Sequence, residues 1–149
     1  MTLRGAAGRS LWALALLGSL LLPLSAATAQ SAIEGDVQHV FDRAVIVVDN
    51  RPVRLWGVVA PRSGEPLSGT SQLLLRRVTL GQQAHCQPLG ADDAPEVIAR
   101  CLVDGMDLGA LLVASGLGRP CSVGGERPYA RLVPSDPAVA AAPEVNCPH

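Results

Sequence analysis

The chain has 149 residues, a formal net charge of −1, 48% hydrophobic residues and only 3% aromatic ones. That length fits one domain with a modest core. Its 12 basic residues are all arginine and are outnumbered by 13 acidic ones, a balance that disfavours gripping a nucleic-acid backbone by charge.

The segment 1–29 reads as a cleavable secretory signal. Arg4 and Arg9 precede an apolar run from Leu11 to Leu24, and Ala27-Thr28-Ala29 supplies a small-x-small cleavage pattern. The run falls short of the ~20 apolar residues of a spanning helix, and Pro23 interrupts its end. Residues 30–149 then carry ten arginines and all 13 acidic residues, a formal −3. They contain no second stretch able to span a membrane. The expected location is periplasmic or secreted. Cys86, Cys101, Cys121 and Cys147 are even in number and bound for an oxidising compartment, which predicts two disulfides. Their spacing to His85 and His149 does not match a zinc site.

Residues 30–35 read as a flexible lead-in. From Asp36 to Val48 the valine-rich pattern predicts β-structure, and Asp49-Asn50 followed by Arg51-Pro52 predicts a turn. Val53 to Val59 is a second strand, ending at Pro61. Ser63–Ser68 is a polar loop. Ser71–Leu80 is helical, with Leu74, Leu75 and Val78 on one face and Gly81 as its stop. Gln82–Gln87 and Val97–Val103 are strands containing Cys86 and Cys101, with a turn over 88–95 between them. Asp104-Gly105 is a turn. Asp107–Gly116 is the clearest helix, with Leu108, Leu111, Leu112 and Ser115 at i, i+3, i+4 and i+7, Asp107 as its cap and Gly116 at its end. The segment 119–149 is an irregular, Pro/Ala-rich tail, broken by prolines. Short strands with two intervening helices predict an α+β, mainly β, small barrel with helices packed on it.

The stretch from Asp42 to Arg62 resembles the staphylococcal-nuclease-like (thermonuclease) family, whose members read D-G-D-T, a hairpin, then V-R-L-x-G-I-D-A-P-E. Gly81 to Cys86 is similar to the family's G-K-x-V-x-C strand. Ile98-Ala99-Arg100-Cys101 is similar to its V-A-R-C strand, and Asp107 to Leu117 to its D-L-N-x-x-L-V-x-x-G-x-A helix. The match runs from about Val37 to Gly118, and its strength lies in the order of the segments. It implies an OB-like five-stranded β-barrel with two or three packed helices over 36–118. In that fold the strands of Cys86 and Cys101 are neighbours, which implies a structural disulfide between them. Cys121 and Cys147 are then left for a second bridge that ties down the tail, where the family has a C-terminal helix.

Members of that family cleave phosphodiester bonds with calcium. Carboxylates hold the ion, another carboxylate activates water, and arginines neutralise the phosphate. Carried over position by position, those roles are mostly lost. The calcium-ligand positions are Ala44 and Val59, and the base position is Arg62. The second phosphate-binding arginine is replaced by Glu96, and Arg54 alone is retained. Asp42 and Asp49 remain but stand at no matching ligand position.

The resemblance therefore implies an exported barrel without nuclease activity, acting as a binding or structural module of the cell envelope, its ligand and partner unspecified. No cofactor is expected. The alternative is a divergent secreted nuclease that uses calcium and a rearranged set such as Asp42, Asp92 and Asp93. A third is OB-type binding of an oligonucleotide or oligosaccharide without cleavage. Nucleic acid is a partner by resemblance and is disfavoured by charge. Arg54 is either a relic phosphate ligand or one half of an ion pair. Trp56 is either a stacking platform or, the favoured reading, core. His39, His85 and His149 read as surface histidines.

Overall fold

A computed structural model describes residues 30–89, 95–136 and 145–147. The proposed signal, 1–29, lies outside them. Strand β1 is Ile33–Val40, β2 Val45–Val48, β3 Arg51–Leu55 and β4 Val58–Val59. Helix α1 is Ser68–Thr79, followed by β5 Gln83–Pro88, β6 Val97–Val103, β7 Met106–Asp107, helix α2 Leu108–Ala114 and β8 Arg119–Pro120. A short 3-10 turn follows at Ala130–Leu132.

The main sheet runs β3-β2-β1-β5-β6-β7. It is antiparallel except where β3 meets β6 in parallel, Val53 opposite Val97 and Leu55 opposite Ala99, which closes five strands into a barrel. The OB-like class is thus the observed architecture. Closure leaves no long unpaired strand edge in the barrel.

Local sequence chemistry explains the corners. Asp49 and Asn50 both hold left-handed backbone (φ 48° and 59°), as a two-residue hairpin turn demands, and their short polar side chains tolerate it. Asp104-Gly105 makes the equivalent turn between β6 and β7, with φ 49° and 76°. In β5 and β6 alternate residues are buried: Ala84, Cys86 and Pro88 on one strand, Val97, Ala99, Cys101 and Val103 on the other. These meet Val37, Ile46, Val48, Val53 and Leu55 from the first three strands to form the core.

Helix α1 places Ser71, Leu75 and Thr79 against the barrel, and Leu74 and Val78 pack on the core beside them. The Thr79 hydroxyl is satisfied by donating to the Leu75 carbonyl at 2.7 Å. Helix α2 is capped by Asp107, whose carboxylate accepts from the Ala110 amide. Leu108, Leu112 and Val113 are its fully buried face.

Several segments differ from expectation. Arg51-Pro52 do not extend the turn but begin β3, paired with Val48 and Val47, and the strand expected over Val53–Val59 is broken at Trp56-Gly57 into β3 and β4, which lie in different sheets. The lead-in is not loose throughout, because Ile33 is buried and pairs with Cys86, so β1 starts inside it. The tail is not wholly irregular either. Arg119-Pro120 pairs with Val58-Val59, and Ser122 bridges Asn146 beside a disulfide. Pro120 can occupy that strand because the ladder is only two residues long, at a sheet edge.

Candidate functional site

The positions that the resemblance assigns to phosphodiester chemistry are not built for it. Arg54 projects outward from β3 beside Ile98 of β6. Its Nη2 donates to the Glu96 carboxylate, and the two side chains are only 18% and 23% exposed. Its cationic head is therefore already neutralised by Glu96, which stands where the resemblance would place a second phosphate-binding arginine. Ala44 is buried in the β1–β2 turn, where its carbonyl accepts from the Leu55 amide. Val59 pairs with Arg119 in the small β4–β8 ladder. Arg62 is exposed, and its amide donates to Glu65.

Asp42 accepts from the Ser63 amide at 3.0 Å and lies 3.8 Å from the Arg43 guanidinium. It staples the β1–β2 turn to the segment after β4. Asp49 sits exposed in the next hairpin. Asp92 and Asp93 lie outside the described residues. Among the described residues no three His, Cys, Asp or Glu side chains converge as a metal site. Calcium requires several oxygen ligands, and the hydrocarbon side chains of Ala44 and Val59 offer none, so the positions that the resemblance assigns to calcium do not fit the ion.

Both disulfides form as the resemblance implied, Cys86 to Cys101 and Cys121 to Cys147. Cys86 and Cys101 are directly opposite in register and both buried. Cys121 is buried too, and its amide donates to the Gly57 carbonyl. Two such bridges mark a chain that matures in oxidising, extracytoplasmic surroundings. Among the described residues no helix is long and apolar enough to cross a membrane.

A polar cluster that the sequence did not foretell joins α2 to the C-terminal segment. The Tyr129 hydroxyl donates to the Asp107 carboxylate at 3.0 Å, and the Arg100 Nε donates to the same carboxylate at 2.7 Å. Burial, then the charge and hydrogen bond of Asp107, push the Tyr129 phenol well above its ordinary value. The hydrogen bond and charge of Asp107 likewise hold the Arg100 guanidinium above its ordinary value. The Tyr129 ring fills space that only glycine leaves open. A Cβ at Gly109 would lie 2.8 Å from the ring, and one at Gly57 would lie 2.9 Å from it. The ring also meets Trp56 edge to face, with centroids 5.9 Å apart.

Trp56 is half-buried: it packs against the core on one side, as expected, and keeps part of its surface outside. Leu55 points inward, so strand alternation turns its neighbour to the outer face. There it lines a shallow groove of about 630 Å³ with Arg100, Gln87, Leu102, His85 and Glu34. The paired cysteines lie immediately beneath. Sequence alternation around Cys86 and Cys101 carried this signal, since each inward cysteine sets its neighbours outward. A second cleft of about 380 Å³ lies between Pro61, Leu67 and the Gly116–Arg119 segment.

Compared with known proteins, the chain matches no family model and no curated protein.

Proposed function

We propose that this chain is a divergent member of the staphylococcal-nuclease-like family, exported by the segment 1–29 to the periplasm or the outside, and that it works without the family's chemistry as a binding or structural module of the cell envelope. The observation that carries this reading is the ion pair between Arg54 and Glu96. A phosphate clamp needs an uncommitted cation with a second one beside it. Here the only retained arginine faces a carboxylate, which also repels a phosphate. Hydrocarbon at the two ligand positions supports the same reading, and so does the reversed charge at Arg62, because neither the ion nor the attacking water finds a carboxylate at those positions. The two disulfides agree with an exported life.

The test is direct. Purified protein incubated with single-stranded DNA or RNA and calcium is expected to leave the substrate intact. Degradation that needs calcium, stops with a chelator and survives rigorous purification would overturn the proposal in favour of a divergent nuclease.

A further inference from the structure

The outer face of β1, β5 and β6 carries two parallel rows of side chains. Pairing sets Arg100 opposite Gln87, and His85 opposite both Leu102 and Glu34. Leu102 in turn faces Asp107. Trp56 extends the first row, since its amide donates to Ala99 and its side chain lines the same groove as Arg100 and Gln87. At ordinary strand spacing the four-membered row from Glu34 to Asp107 is about 14 Å long and the row of Trp56, Arg100 and Gln87 about 10 Å. That suits a short chain of small rings better than a single one. The Cys86–Cys101 bond beneath ties the two central strands together between the rows.

The chemistry of these rows is distinctive. Trp56 offers an aromatic surface, and its indole N–H has no protein partner among the described residues, yet it is not sealed from solvent. Gln87 offers an amide with both donor and acceptor. The one arginine of the groove is already engaged, since Arg100 is held by Asp107, and the carboxylates nearby are tied to neutral or weakly basic partners, Glu34 to His85 at 3.3 Å and Asp36 to the Gln83 amide. A phosphate-bearing strand would find no free cation there. A ligand that is neutral and rich in hydroxyl groups, with C–H faces to lie against an aromatic ring, meets each requirement.

We propose that this groove binds a short, neutral oligosaccharide, stacked on Trp56 and hydrogen-bonded by Gln87 and the edges of the two ion pairs. This names a ligand for the binding module and so rests on that reading. The two fail separately: cleavage of DNA removes the module reading, whereas a protein that neither cleaves DNA nor binds sugar removes only this inference.

The chain has two tryptophans, Trp12 and Trp56, so full-length protein carrying Trp12→Phe reports on Trp56 alone. Titration with the neutral trisaccharides cellotriose, maltotriose and chitotriose is expected to give a saturable change in Trp56 fluorescence for at least one of them. In calorimetry Trp56→Ala is expected to weaken that binding by about tenfold or more, the scale of one good contact. Gln87 is exposed, so Gln87→Ala leaves the thermal midpoint unchanged and is expected to weaken binding by about fivefold, as loss of one hydrogen bond predicts. Absence of a saturable response to all three sugars through the millimolar range overturns the proposal. So does undiminished binding by Gln87→Ala. A response to oligothymidylate that fades with added salt, with the sugars silent, assigns the face to nucleic acid instead.

Discussion

Tyr129 donates its phenolic hydrogen to the same Asp107 carboxylate that caps helix α2 and holds Arg100. One residue thus joins the start of a helix, a barrel strand and the C-terminal segment. Replacing Tyr129 by Phe removes the hydroxyl and keeps the ring. It is expected to lower stability by about 1–2 kcal/mol, the range for a hydrogen bond to a charged acceptor, measured by urea unfolding. Tyr129→Ala, which also empties the space over Gly57 and Gly109, is expected to cost distinctly more.

The same contact predicts an alkaline weakness. The folded-state value of Tyr129 lies above its unfolded value, so above about pH 10 the unfolded chain releases the proton first. The stabilisation is complete below that pH and is lost as pH climbs toward the folded-state value. Urea midpoints of the native protein should therefore fall from about pH 10 upward, and this component should vanish in Tyr129→Phe. An unaltered slope in the variant would assign the loss to other groups.

Gly109 sits in the first turn of α2 beneath the Tyr129 ring. In most helices Gly→Ala stabilises, by roughly 1 kcal/mol. Here the new methyl would lie 2.8 Å from the ring and 3.0 Å from the Trp56 carbonyl. Gly109→Ala is expected to destabilise by about 1–3 kcal/mol, the usual cost of overpacking. It should also disturb the near-UV circular dichroism of Trp56 and Tyr129.

Glu96 holds Arg54 from a partly shielded position. Arg54→Ala strands that carboxylate and is expected to cost about 1 kcal/mol, discounted for its solvent contact. Glu96→Arg is expected to give salt-sensitive binding of single-stranded DNA without cleavage, because the ligand and base positions stay empty of carboxylates. Filter binding across a salt series separates this from no effect.

Each disulfide should matter to a similar degree. Loops of 15 and 26 residues each correspond to about 3 kcal/mol in the chain-entropy view. The double variant Cys121→Ala/Cys147→Ala should lose about that much in urea unfolding, while its far-UV spectrum keeps the signature of an intact barrel.

Much of this fold was legible because its periods are clean. The alternation in β5 and β6, the Asp49-Asn50 and Asp104-Gly105 turns, and the capped face of α2 are local patterns with local causes. What escaped is non-local. No spacing relates Tyr129 to Asp107, 22 residues apart. The outward turn of Trp56 follows from strand phase but was hidden by its apolar neighbours, Leu55 and Val58. The start of β1 at Ile33 depended on a partner, Cys86, on a strand some fifty residues later. At the candidate site, Arg54 and Glu96 could be singled out by position, but only the barrel's closure brought them together.

Four cysteines allow three pairings, and the observed one joins consecutive cysteines, first to second and third to fourth. In the export proposed above, a chain entering an oxidising compartment from its N-terminus would meet its cysteines in that same order. Simple oxidation on emergence gives the native connectivity, with no bridge to be undone and reshuffled. The first bond joins two neighbouring strands of one hairpin, and the second fastens the C-terminal segment to the residues after β8. Pairing in chain order is therefore enough to reach this connectivity.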